Sequence, residues 1–212
     1  MTLVEAIQIG DLEKVQSLLE ENSSLIDSQT DHGISILLFA LYCQKKDIVN
    51  LLLEKKKQFD FFEAAATGQL DFLEQRLNEN PAFLNQFSTD GFTGLGLASF
   101  FSQKESVNIL LAKGADPNIP SNNDFKVTPL HSATAAGQYE IVRILLENNA
   151  DPNAKQQKDV TPLHSAAHLG KKDIIEILLK FDADKTAKTI DGKIPFDFIP
   201  QSELPEIAPI LK

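Results

Sequence analysis

Two histidines, His131 and His164, stand 33 residues apart at the end of the same tetrapeptide, Thr-Pro-Leu-His. An imidazole titrates near neutrality, so either one could serve as a general base or a metal ligand. A zinc site needs further cysteine or histidine ligands at close spacing, and no such cluster accompanies them. A general base needs an acid or nucleophile placed beside it by a second element, which copies of one tetrapeptide do not supply. Asp116, Asp151 and Asp184 recur with the same period, in Ala-Asp-Pro-Asn or Ala-Asp-Lys. A hydrolytic carboxylate pair needs its members within roughly 10 Å, so aspartates a whole unit apart read as turn formers that bond backbone N–H groups. Gly91-Phe92-Thr93-Gly94-Leu95-Gly96 is glycine-rich, but it follows no strand of a βαβ unit and reads as a degenerate repeat rather than a phosphate loop. Cys43 is the only cysteine; it reads as a small apolar residue rather than a reactive thiol. Lys55, Lys56 and Lys57 form the one basic run and read as a solvated helix end at the negative pole of the dipole.

Residues that recur with a fixed period are explained first by the elements that recur. Positions equivalent to Thr128 fall at Met1, Ser35, Phe59, Thr93, Thr128, Thr161 and Ile194, with spacings of 34, 24, 34, 35, 33 and 33. In the clearest unit Pro129 opens a short helix, Ala133 is small enough for a neighbour to approach, and Gly137 stops it in a left-handed turn. A second helix, 139–148, carries Ile141, Val142, Ile144, Leu145 and Leu146. That apolar face is too wide for one partner and must be covered from both sides. Asn149, Gly114 and Asp182 stand at the next stop, and all tolerate a left-handed cap.

The stretch from Asn122 to Asn153, NNDFKVTPLHSATAAGQYEIVRILLENNADPN, resembles an ankyrin repeat almost position by position. The resemblance implies an all-α solenoid of helix-turn-helix units joined by β-turn fingers. It is expected to fill 1–212 as one domain, with units starting near 1, 35, 59, 93, 128 and 161 and a C-terminal cap over 194–212. By the same resemblance His131 and His164 are structural, bridging the Thr hydroxyl and the backbone of adjacent fingers. The 24-residue spacing lacks about nine residues of the period, so one finger is expected to be deleted between the second and third units. A 58-residue offset relates Glu5-Ala6-Ile7 to Glu63-Ala64-Ala65 and Ser35 to Thr93, pointing to an older two-unit duplication.

A net charge of −10 argues against nucleic acid. No run approaches the roughly 18 apolar residues of a membrane span, and the N-terminus lacks the basic region of a signal peptide. A monomeric, cytoplasmic chain with no cofactor is expected.

In the family that this chain resembles, the positions left free by packing line a concave face, where partners are usually engaged. Carried onto this sequence they include Tyr42, Phe92, Phe100, Phe101, Phe125, Val127, Val160, His168 and Leu169. Aromatic side chains exposed together are the usual anchors of a protein interface. Residues 61–125 hold eight acids and three bases, an acidic surround that favours a partner apolar in its middle and basic at its flanks. The expected function is therefore a non-catalytic protein–protein interaction module. The alternatives are an accessory, chaperone-like protein supporting a partner enzyme, or an enzyme whose site leaves no motif.

Overall fold

The structure, a computed structural model, describes all of residues 1–212. It is all-α, built from paired helices: α1 (Leu3–Ile9) with α2 (Leu12–Glu21), α3 (Ile36–Tyr42) with α4 (Lys46–Lys55), and α5 (Phe61–Thr67) with α6 (Leu70–Glu79). Next come α7 (Gly94–Phe100) with α8 (Lys104–Ala112), α9 (Pro129–Ala135) with α10 (Tyr139–Glu147), and α11 (Pro162–His168) with α12 (Lys172–Lys180). A 3-10 turn, Pro195–Phe198, and α13 (Leu204–Leu211) close the stack. First helices pack on first helices along the whole row from α1 to α11. One cluster of 39 buried apolar residues runs from Leu3 to Leu211, so the hydrophobic core is continuous from the first helix to the last. No helix is long and apolar enough to cross a membrane.

Five of the six first helices are started by a side-chain cap. Thr2, Ser35, Asp60, Thr93 and Thr128 each accept a bond from the backbone N–H three residues on, satisfying a donor the helix leaves free. In the first and third units the caps are Thr2 and Asp60, one residue beyond Met1 and Phe59, and each forms a capping box with a glutamate, Glu5 or Glu63. Phe59 instead turns inward and packs on Phe72, ring centroids 5.0 Å apart. Ala40, Ala65, Ala98, Ala133 and Ala166, five residues after their caps, are fully buried where first helices approach. Gly94 stands where later units have proline because the ring of Phe61 fills that space: a Cβ there would lie 2.6 Å from it.

The fingers form a ladder. Each closes on itself by a backbone bond, Ser88 N–H to the carbonyl of Phe92 at 2.8 Å and Ser121 N–H to that of Val127 at 2.8 Å being two. Each of the later fingers is then stitched to the next. Asn122 donates to the carbonyl of Gly91 (2.7 Å), Gln157 to that of Phe125 (2.8 Å) and Ile190 to that of Lys158 (3.1 Å). His131 locks a finger to its helix: Nδ1 lies 2.8 Å from Thr128 Oγ1 and Nε2 lies 3.1 Å from the carbonyl of Val160. Nδ1 also accepts from the Thr128 N–H, which places the ring proton on Nε2, facing the carbonyl. His164 repeats this with Thr161 (2.8 Å) and the carbonyl of Lys193 (3.2 Å).

Between the second and third units the ladder stops. Only Lys56–Asp60 joins α4 to α5, with no hairpin, and Ser35 to Asp60 is 25 residues, eight short of 33. Neighbouring second helices pack along the rest of the stack, and α4 and α6 are the pair with the least contact. On that side the joint is bridged by Lys56, which corrects the reading of this one lysine as solvated; Lys55 and Lys57 are exposed at the helix end as read. Lys56 is only 8% exposed. Its amino group donates to Asp27 Oδ1 (2.6 Å) and lies 3.4 Å from Glu63 Oε1. Arg76 adds a bond from Nε to the carbonyl of Phe59, 3.0 Å. A polar cleft of about 440 Å³ opens beside these groups. The residues that enclose Lys56 come from other units, Asp27 from the first and Glu63 from the third, so its neighbours in sequence give no sign of its burial.

Two outcomes follow for stability. Removing one member of a buried ion pair leaves the other charge uncompensated, at a cost on the order of 3–5 kcal/mol. Lys56→Met should therefore destabilise strongly in urea unfolding at pH 7, and Lys56→Met/Glu63→Gln should recover most of the loss. A single variant as stable as the parent would show that the pair does not hold the joint.

Burial pushes the His131 imidazole down to about 4 and lowers His164 as well. A base depressed in the folded state stabilises fully above its ordinary pKa of about 6.5, and that stability is lost as pH falls towards about 4. The unfolded chain then takes up protons that the folded chain refuses. Between pH 7.5 and 5 His131 should account for about 2 kcal/mol of lost stability. His131→Ala should cost about 1–3 kcal/mol at neutral pH and flatten the pH dependence. Unfolding curves at the two pH values check both; an unchanged slope in the variant would refute the assignment.

Candidate functional site

The side chains with chemical potential are used by the fold. Both ring nitrogens of His131 and His164 are bonded internally, and burial keeps the imidazoles uncharged at neutral pH. Asp116 and Asp151 each accept from a backbone N–H two residues on, at 2.9 and 2.8 Å. Asn118 and Asn153 carry the chain of bonds to the next unit, through Asp151 N–H (2.7 Å) and Asp184 N–H (2.7 Å). The aspartates are turn formers in a ladder along the solvent side. Cys43 is half-buried, and burial raises its thiol pKa, which disfavours the nucleophilic thiolate.

What remains unabsorbed is an apolar groove where the fingers meet the first helices. The end of α3 brings Tyr42, the end of α7 brings Phe100, and the fingers bring Phe92, Phe125 and Val127. These five line one cleft of about 190 Å³, floored by Leu97, Ser132 and Ala135. Val160, His168 and Leu169 line a second cleft of about 400 Å³ with His164 and Phe198. The two clefts share Ala135, Gln156 and Ser165 and so run into each other. Small residues on α9 make the hollow; large ones on the fingers make its walls.

The nine expected residues therefore divide. Phe100 is 42% exposed, Phe125 58% and Leu169 41%, and His168 is also exposed. Tyr42, Phe92, Val127 and Val160 are half-buried lining residues. Phe101 lines neither cleft. It packs edge-on to Phe100 (5.1 Å, 81°) and against Tyr42 (5.3 Å, 54°), and with Phe92 it covers a small apolar cluster of Leu38, Ala66 and Leu97. Tyr42 is fixed at its other end too, its hydroxyl donating to Asp90 Oδ2 at 2.5 Å. Burial, and then this bond, push the phenol up and keep it protonated.

Sequence reasoning missed Leu97, Gln156 and Phe198 as lining residues, and Asp90. Phe198 belongs to the cap, where its edge contact with His164 (5.3 Å, 90°) brings it to the groove; the repeat pattern has frayed there and offers no register. Asp90 had no signal, because its role depends on a tyrosine 48 residues earlier.

Comparison with known proteins bears on the whole architecture. A family model described as ankyrin repeats (3 copies) matches residues 3–121, 61–156 and 121–189, nearly the full chain between them. A 76-residue stretch is 36% identical to human DNA-binding protein RFXANK, covering 36% of this chain. The match spans 29% of that protein's length. With the paired helices, the fingers and the histidine bridges in place, the chain belongs to the ankyrin-repeat family.

Proposed function

We propose that this chain is a non-catalytic module that binds a partner protein along the groove of the fingers and first helices, the concave face of the stack. The observation that carries the reading is the exposure of Phe100 and Phe125, which line the same apolar cleft. Aromatic rings held at the surface around a hollow contribute little to the stability of the free chain, and give large contact area at small entropic cost when covered. Ankyrin repeats generally serve as protein-binding modules, and that family habit agrees with the groove. The partner segment is apolar where it fills the two clefts and basic at its flanks, matching the net −5 of residues 61–125. A second copy of this chain is the poorer occupant, since two molecules each carrying −10 repel. DNA binding, in the name of the human relative, does not transfer to so acidic a chain over so short a match. The single free cysteine suits the reducing cytoplasm.

The test is a binding titration with the purified partner identified by capture and mass spectrometry. Phe100→Ala and Phe125→Ala should each weaken binding at least tenfold, about 1.4 kcal/mol, with the melting temperature almost unchanged. Phe101→Ala should lower the melting temperature, because its ring is packed against Tyr42 and Phe100. A stoichiometric partner whose affinity ignores both exposed rings would place the binding face elsewhere.

A further inference from the structure

Asp90 lies on the finger between Ser88 and Phe92 and lines a small cleft with Ile34 and Leu38, joined to the apolar groove through Tyr42. Its carboxylate accepts from the Tyr42 hydroxyl at 2.5 Å and from the Ser88 hydroxyl. Both donors are neutral, and no lysine, arginine or histidine pairs with it. The bond to the next finger does not use this side chain: it runs from Asn123 Nδ2 to the backbone carbonyl of Asp90 at 2.9 Å. Nor does the repeat require an acid here, since the matching position on the preceding finger is His32. Asp90 is thus a half-buried carboxylate without a counter-ion, bonded to the hydroxyl of Tyr42, whose side chain lines the apolar cleft.

Such a pairing has a specific complement. A guanidinium is planar and weakly hydrated; it can lie against an aromatic face while its N–H fork bonds a carboxylate. A charge-assisted bond of this kind is stronger than the neutral ones Asp90 now accepts. We propose that Asp90 and Tyr42 form a cation subsite at the end of the groove. It takes an arginine of the partner segment, next to the large apolar side chain that fills the cleft of Phe92, Phe100 and Phe125. This rests on the groove reading and narrows it, converting a diffuse acidic surround into one residue and one contact. Tyr42 is the gate of the subsite: its hydroxyl holds the carboxylate until the guanidinium takes its place.

The experiment uses the full chain as bait for a displayed library of random dodecapeptides. Enriched peptides should carry arginine within a few residues of a large apolar residue. On Asp90→Asn the apolar preference should persist and the arginine preference vanish. A synthetic enriched peptide should bind Asp90→Asn about tenfold more weakly than the parent, whereas its Arg→Gln version should bind both alike. Tyr42→Phe keeps the ring but removes the competing donor, so the ratio of arginine-peptide to glutamine-peptide affinity should rise above the parent's. A ratio of two affinities measured on one variant gives the answer even where a substitution loosens the finger and weakens both peptides; an unchanged or lower ratio would overturn the subsite. Apolar peptides enriched without arginine would overturn the subsite and leave the groove standing. Loss of all enrichment in Phe100→Ala and Phe125→Ala, with the parent active, places the peptides in the groove. No enrichment on the parent would overturn both readings.

Discussion

Helix α10 buries Ile141, Val142, Leu145 and Leu146, and its own unit has only one short helix to set against them. The rest of that face is covered by α8 on one side and α12 on the other. Every middle unit has this problem, and stacking solves it: apolar surface gains about 25 cal/mol per Å² on leaving water, but only when a neighbour is present. The chain is held by contacts between successive units, so anything that disturbs the spacing of the units has to be offset locally.

The fingers and the missing finger show what that means. Where the period is kept, backbone bonds and the imidazoles of His131 and His164 fix each finger to the next. Where eight residues are lost, the packing of α4 on α6 thins and a polar cleft opens. The substitute is electrostatic: Lys56 reaches back to Asp27 of the first unit's turn and forward to Glu63 at the start of the third. A non-directional apolar contact has been exchanged for a buried pair whose value depends on both members being charged. The Tyr42 hydroxyl bond to Asp90 crosses the same joint on the finger side. The joint and the groove therefore share a residue, and bending at one would be felt at the other.

The groove has the opposite character. Its walls are aromatic and partly in water, while its floor is Leu97 of α7 and the short side chains of Ser132 and Ala135 on α9. Rings such as Phe101 that find a neighbour become part of the structure, and rings such as Phe100 one position earlier remain outside. Adjacent residues on a helix point about 100° apart, so two phenylalanines in sequence are bound to divide in this way.

The repeat architecture was legible in the sequence because it rests on local rules repeated with a period. Thr-Pro at a helix start, a left-handed stop at Gly137 or Asn149, and a two-sided apolar helix each follow from backbone chemistry within one unit. The missing finger was legible too, as a shortfall in spacing. The one-residue shift of the first and third units was available in Thr2-x-x-Glu5 and Asp60-x-x-Glu63, a capping-box signal that the spacing alone overlooks. What the sequence could not decide was the fate of side chains whose neighbours come from other units. Lys56 reads as solvent-facing until the deletion places Glu63 over it, and Phe101 reads as a free ring until Tyr42 is found against it. Asp90 is one acid among many until a hydroxyl 48 residues away singles it out. Periodicity determines the backbone, because each turn and cap is local; burial and pairing belong to the stacked whole, because they are set by what the next unit brings.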